Sequence, residues 1–317
     1  MITSQALDPR LKIFVAGHKG LLGSALVRQL EALGSHKILV VDRKSLDLRD
    51  SEATRKYFKE ARPDIVVSCA ALVGGIKANM ERPADFLKEN LAIQSSLFNA
   101  ALENGTNTLV HMGSSCVYPK GCPQPMAPHL IGTGKVEQTN LGYATAKLTG
   151  IAQCEVYSSQ YGVNYFTVIP ASIYGPGDNF DAESSHVMSA MIRKFVQAKK
   201  TGGSVLLWGT GKPRREFIFV DDAARAIIFL LANYRGPGPI NVGPGTDVEI
   251  RELAGLIANT SGFKGTVSFD SSMPDGVFQK LLDSREITEL GFQPRVGLES
   301  GIHETIAWFE KAFASEL

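Results

Sequence analysis

The sequence predicts an α/β fold: a doubly wound parallel sheet with a smaller domain interwoven towards the C-terminus. Three observations carry this. Short apolar runs at residues 11–16, 37–41, 64–71, 109–112 and 165–169 alternate with stretches of helical apolar spacing. Such alternation predicts a parallel sheet with right-handed crossovers. The first run meets a glycine-rich turn at once, Gly17-His18-Lys19-Gly20-Leu21-Leu22-Gly23. After about residue 170 the chain changes to loops, short extended pieces and helices, with no clean linker. A length of 317 residues suits one large domain or two coupled ones.

Taken in order, residues 1–10 read as a loose arm and 11–16 (LKIFVA) as the first strand. The glycine turn follows, then a helix over 22–33 that stops at Gly34. Strand, glycine turn and helix form a Rossmann-type unit, in which the glycines let a pyrophosphate approach the helix N-terminus. The second strand, 37–41, ends at Asp42-Arg43, about 20 residues beyond the glycines, where a ribose-reading residue belongs. Asp42 suits the ribose hydroxyls of NAD. Arg43, with Lys19, suits the 2′-phosphate of NADP. Asp50-Ser51 starts a short helix to Ala61. Residues 64–71 form a third strand, 72–76 a turn, 85–104 a long helix, and 109–112 a fourth strand running into Gly113-Ser114-Ser115-Cys116-Val117-Tyr118-Pro119. Ligands of such sheets bind at the carboxyl ends of the strands, which places Ser114 and Cys116 at that edge.

Residues 120–139, rich in Pro, Gly and polar residues, read as a loop over the site, 140–161 as a helix and 165–169 as a strand. Then come a loop at 170–180, Ser185-His186 ahead of a helix to about 200, and a strand at 205–208. Residues 214–222 lead into a helix over 223–233; 240–243 is extended, 250–259 helical, 266–269 a strand and 305–313 a final helix. The expected division is a dinucleotide-binding domain over 11–170, with returning segments at about 214–243, and a mainly substrate-binding domain over 171–317.

Bulk composition narrows the function classes. Hydrophobic content of 44%, charged content of 21% and a formal net charge of +1 describe an ordinary globular chain with no global field for nucleic acid or membranes. The first twelve residues lack an apolar run of signal-peptide length, and no stretch approaches the ~18 apolar residues of a membrane span. Cys69, Cys116, Cys122 and Cys154 match no zinc spacing, so no metal is expected, and free thiols point to a reduced, cytoplasmic protein.

The chemistry centres on Gly142-Tyr143-Ala144-Thr145-Ala146-Lys147. Tyr143 and Lys147 stand four apart, on one face of a helix. An ammonium beside a phenol favours phenolate and is expected to lower the tyrosine pKa, tuning a proton donor or acceptor for a carbonyl or alcohol oxygen.

The Gly17–Gly23 turn, the Ser114/Tyr143/Lys147 set and Tyr174-Gly175-Pro176 resemble the extended short-chain dehydrogenase/reductases. Within them the chain is most similar to the GDP-L-fucose synthase family, the GDP-4-keto-6-deoxy-D-mannose 3,5-epimerase/4-reductases. Further segments carrying the likeness are Val73-Gly74-Gly75-Ile76, Gly113 to Pro119, Gly175-Pro176-Gly177-Asp178-Asn179-Phe180, Ser185-His186-Val187, Arg215-Glu216-Phe217 and Pro274-Asp275-Gly276. The resemblance implies NADP(H), with NAD(H) as the alternative that Asp42 raises. It implies cofactor contacts from Gly17, Lys19, Gly20, Leu21, Leu22, Gly23, Asp42, Arg43, Ala70, Tyr143, Lys147, Pro170 and His186.

It also implies catalytic roles. Ser114 and Tyr143 hold the C4 oxygen of the sugar, Lys147 holds the nicotinamide ribose, Cys116 takes protons from C3 and C5, and His186 returns them from the opposite face. Lys194, Trp208, Arg215 and Lys280 bind the GDP-sugar. A homodimer through the helices at 85–104 and 140–161 is implied as well. Lys194 replaces the arginine of better-known members, Ala171-Ser172 a Thr-Asn pair, and Gly177 a histidine. These departures leave open a related GDP-4-keto sugar, a 6-deoxy-heptose or a dideoxy sugar. The other readings are an NAD-dependent nucleotide-sugar 4-epimerase or 4,6-dehydratase, and a dinucleotide-binding protein without chemistry. A dehydratase would carry Asp-Glu where Ser115-Cys116 stands.

Overall fold

The computed structural model describes residues 7–34, 37–182, 184–273 and 275–314. Of the expected N-terminal arm only residues 7–10 are described, and Pro274 lies outside the described residues.

The chain begins β1 (Lys12–Ala16), α1 (Leu21–Ala32), β2 (Lys37–Leu39), α2 (Ser51–Ala61), β3 (Ile65–Ser68), α3 (Ile76–Glu81), α4 (Pro83–Glu103), β4 (Thr108–Met112), α5 (Leu141–Tyr161) and β5 (Asn164–Pro170). It continues β6 (Ser172–Tyr174), α6 (Val187–Thr201), β7 (Val205–Trp208), β8 (Arg214–Phe219), α7 (Val220–Asn233), β9 (Pro239–Val242), β10 (Asp247–Glu249), α8 (Ile250–Ser261), β11 (Val267–Asp270), β12 (Gln279–Lys280), α9 (Arg285–Glu289) and α10 (Leu298–Ala312).

The central sheet is parallel throughout, in the order β2-β1-β3-β4-β5-β9. Its strands are near-continuous apolar runs because helices cover both faces. On one face Ala25, Leu26 and Leu30 of α1 pack with Ala223, Ile227 and Leu230 of α7. On the other, Phe58 of α2, Leu97 and Phe98 of α4 and Cys154 of α5 form a second core. Strand order reverses between β1 and β3, which opens a crevice beyond their carboxyl ends. Asp50 caps α2 by accepting from the backbone N–H groups of Glu52 and Ala53, each at 3.0 Å.

The later elements build a smaller unit. β8 is its spine, flanked by β10, β12 and β6. β7 and β11 pair separately, and α6, α8 and α10 bury Phe195, Ile257 and Ile306 in a third core. Glu216, 2% exposed, binds this unit together: its carboxylate accepts from Gly245 N at 2.8 Å and Leu282 N at 2.9 Å. Burial pushes that carboxyl up to about 7, against the two backbone bonds.

Seven elements differ from the sequence-based expectation. Residues 76–81 form α3 and not only a turn; 172–174 form β6 within the expected loop; 214–219 form a full strand; β10, β12 and α9 are additional; and α10 starts at Leu298. Among the described residues, no helix is long and apolar enough to cross a membrane. All four cysteines are free.

Candidate active site

A cleft of about 1060 Å³ runs along the carboxyl edge of the central sheet and under the smaller unit. Its floor begins at the glycine turn. Gly17 has φ +80°, and a Cβ there would stand 2.7 Å from Ala70 N; at Gly23 a Cβ would stand 2.2 Å from Gly17 O. Only glycine permits this turn to fold against β3 and the start of α1. Gly20 N-caps α1 without a side-chain cap, so the first N–H groups of that helix remain available to a phosphate. This cradle fits a dinucleotide. Leu21 and Leu22 also line the cleft, as do Ala70 and Pro170 at the ends of β3 and β5.

Asp42 and Lys19 stand at the far end, with Nζ 2.5 Å from Oδ1, and His18 Nε2 lies 3.4 Å from the same oxygen. The Lys19 hydrogen bond holds the Asp42 carboxyl below its ordinary range. Arg43 is exposed, its Nε 4.0 Å from Asp47. Carboxylate and cations thus coexist here, one suited to a 2′-hydroxyl and the others to a 2′-phosphate.

Ser114 leaves β4 and caps a single 3₁₀ turn, accepting from Cys116 N at 3.4 Å. That turn brings Cys116 to the cleft beside Ser114. Tyr143 and Lys147 enter from the first turns of α5. The Lys147 ammonium donates to Met112 O at 2.7 Å and lies over the Tyr143 ring, 5.6 Å from its centroid. Burial pushes the phenol and the Cys116 thiol up, and the Ser114 hydroxyl opposes the rise at both. The expected lowering of Tyr143 is therefore corrected: the ammonium faces the ring and a backbone carbonyl, and desolvation prevails. Burial also brings Lys147 down to about 8. A phenol held protonated in this way can donate a proton at neutral pH.

His186 lines the cleft from the opposite side, exposed at the N-cap of α6. Asp178, also in the lining, accepts a short hydrogen bond from Ser189 Oγ of α6 and another from Asn179 N at 2.7 Å. Burial raises its carboxyl, and the nearby imidazole opposes that. Sequence reasoning gave Asp178 no role, although it stands within Gly175-Pro176-Gly177-Asp178-Asn179-Phe180.

Of the four expected sugar-nucleotide ligands, Arg215 and Lys280 line the cleft while Lys194 and Trp208 do not. Lys194 donates to Leu206 O at 3.0 Å, and Trp208 is 68% exposed. Arg49, Arg82 and Asn79 line the cleft and were not anticipated; Arg49 is already paired with Asp47 and Glu89. Arg49 precedes α2, Asn79 lies on α3 and Arg82 joins α3 to α4, and no motif in the sequence marked them.

The NAD dependent epimerase/dehydratase family matches residues 13–243. The chain is 46% identical to a probable GDP-L-fucose synthase 1 of Oryza sativa subsp. japonica, over 94% of this chain and 92% of the relative. Among solved structures, a GDP-6-OMe-4-keto-L-xylo-heptose reductase from C. jejuni superposes with TM-score 0.91 at 32% identity, covering 97% of this chain and 100% of that one. A GDP-L-fucose synthetase from Naegleria fowleri bound to NADP gives TM-score 0.90 at 26% identity, covering 98% and 97%. The glycine cradle, the Ser114–Tyr143–Lys147 cluster and these likenesses agree: the chain is an enzyme of the NAD-dependent epimerase/dehydratase family, in the GDP-L-fucose synthase branch of the extended short-chain dehydrogenase/reductases.

Proposed function

We propose that this chain is a bifunctional enzyme that epimerises GDP-4-keto-6-deoxy-D-mannose at C3 and C5 and reduces it at C4 with NADPH, giving GDP-L-fucose. The observation that carries the reading is the convergence of Ser114, Cys116, Tyr143 and Lys147 on one cleft that His186 also lines. A keto oxygen held by Ser114 and Tyr143 becomes the electron sink for deprotonation at the neighbouring carbons. Donors aimed at such an oxyanion contribute about 3–4 kcal/mol each. Cys116, as thiolate, removes the proton from C3 and later from C5; His186, across the cleft, returns one to the other face.

NADPH, when bound, supplies the hydride to C4. Tyr143 then delivers its proton to the C4 oxygen, and Lys147 holds the ribose and the proton balance of the phenol. Arg215 is placed to meet the pyrophosphate. The enzyme in this reading is a cytoplasmic homodimer joined through α4 and α5; on α5, Leu141, Val156 and Tyr161 are exposed.

A second reading is a related GDP-4-keto sugar, such as a 6-deoxy-heptose. Ala171, Ser172 and Gly177 line the cleft in place of larger hydrogen-bonding residues, and the structural neighbour from C. jejuni is named for a heptose. Mass-spectrometric product analysis with GDP-4-keto-6-deoxymannose, run in parallel with NADPH and NADH, decides. Stoichiometric NADPH oxidation with GDP-L-fucose formed supports the proposal. Turnover without net cofactor oxidation overturns it in favour of a closed-cycle epimerase or dehydratase. Comparable rates with NADH would assign the ribose end to Asp42.

A further inference from the structure

A second cavity, of about 210 Å³, adjoins the main cleft, and Ser115, Cys116 and Lys280 line both. Lys280 sits on β12 in register with Arg215 of β8. It is half-buried, and among the described residues its ammonium makes no hydrogen bond or ion pair with the protein. The groups whose charges reach it are Cys116 after β4, Cys122 and Glu137 in the following loop, and Arg215 on β8. An ammonium in such a place is costly to keep charged unless an anion forms beside it.

The Cys116 thiol presents the complementary problem. Its facing groups are Ser114 on its own turn, Tyr143 and Lys147 on α5, and Lys280 on β12. Burial disfavours the thiolate, and the cations opposing that are Lys280 and Lys147. The Lys147 ammonium is already engaged by Met112 O at 2.7 Å. Lys280 is the cation with no other commitment.

We propose that Lys280 is the counter-ion of the Cys116 thiolate, a positioning residue for the base and not a ligand of the pyrophosphate. The inference rests on the reading of Cys116 as the base. When the thiol gives its proton to solvent, the anion forms next to an ammonium that lacked a partner, and each compensates the other's burial. Arg215 then remains as the cation for the pyrophosphate on this side. Its Nη1 already donates to Arg214 O at 2.7 Å and is oriented by that bond.

The test is alkylation of the substrate-free protein by iodoacetamide across a pH series, resolved by peptide so that Cys116 is followed alone, with GDP affinity measured by calorimetry on the same variants. Lys280→Met is expected to move the Cys116 midpoint to higher pH and slow its alkylation at neutral pH about tenfold or more, the equivalent of one pKa unit. Lys280→Arg should keep the wild-type profile, and GDP should bind Lys280→Met with an unchanged dissociation constant. An unmoved Cys116 profile overturns the proposal, most plainly if GDP affinity falls instead. If Lys280→Met fails to fold, Lys280→Gln carries the same measurement. Cys69, which lines the same cleft, reports any general opening and should alkylate at an unchanged rate. Because no sugar is present, failure here leaves the epimerase/reductase reading standing, and that reading fails only in the product assay.

Discussion

α5 and α6 bring titratable groups to one cleft, and they hold them in opposite ways. α5 is locked. A Cβ at Gly142 would stand 2.1 Å from Pro83 O at the start of α4, and one at Gly150 would stand 2.3 Å from His111 Nε2 on β4. Lys147 is 4% exposed and fixed to a backbone carbonyl. α6 instead begins at an exposed His186 that makes no side-chain cap bond. Its approach is tied down by Asp178 to Ser189 and by Asn179 Nδ2 to Ser184 Oγ at 2.9 Å. The difference matches the two chemistries proposed. A phenol that protonates one oxygen once gains from rigidity and exclusion of water. An imidazole that must take a new proton from the medium between two carbons has to stay in contact with it.

The comparison can be broken at four points. The largest effect is expected from Tyr143→Phe: reduction at C4 should fall about 100- to 10,000-fold, the range of a lost general acid. Deuterium exchange at C3 and C5, read by mass spectrometry, should slow as well, because the phenol is one of two donors to the enolate oxygen, but it should not stop while Ser114, Cys116 and His186 remain. Exchange at the wild-type rate would mean that Tyr143 does not hold the oxygen used in epimerisation.

Gly142→Ala comes next. Its methyl has no room against Pro83 O, so α4 and α5 must separate, at a cost of about 1–3 kcal/mol. A lower thermal midpoint should accompany a slower reduction, whereas exchange from the α6 side should change less.

His111→Leu tests the packing beneath α5. Both His111 nitrogens are buried without partners among the described residues, and burial holds the imidazole well below its ordinary 6.5. Below that ordinary value the unfolded chain takes up a proton that the fold refuses, so His111 costs stability progressively as pH falls. The leucine variant should gain on the wild type by up to ~1.4 kcal/mol per pH unit below about 6.5 and differ least at alkaline pH. Denaturant melts at acid and alkaline pH check this; a constant difference would contradict it.

Ser189→Ala should have the smallest effect. It removes one hydrogen bond to Asp178, worth about 0.5–1.5 kcal/mol. Exchange at C3 and C5 should slow several-fold while cofactor affinity, measured by fluorescence titration, stays the same.

What the sequence made legible follows the same division. β1, β3, β4 and α5 were readable because strands covered on both faces are continuously apolar and the helix is long. α3 was not, since Ile76 and Met80, its large apolar residues, are exposed at 62% and 60% and leave no core-facing period. β6, β10 and β12 have two or three residues each, and their register comes from β8 and not from their own composition. β8 was concealed by Arg214-Arg215-Glu216, charges that are tolerated there because Asp247 pairs with Arg214 and backbone N–H groups reach Glu216. In the site, the Tyr143/Lys147 spacing announced the pair but not its orientation. The nearness of Lys280 to Cys116 could not be read at all, because it is made by β12 pairing with β8 far along the chain.

The last strand of the central sheet has a consequence for how the protein is made. β9 pairs with β5 only after β6 to β8 and α7 have been synthesised, so β5 leaves the ribosome as an open, strongly apolar edge. Until residues 239–242 arrive, Val168 and Ile169 lack the partners Ile240 and Asn241. An unpaired edge of that kind invites pairing with other chains. A fragment ending near residue 170 would therefore keep the glycine cradle and α5 yet be prone to aggregate, which makes the cofactor half inseparable in practice from the segment that follows it.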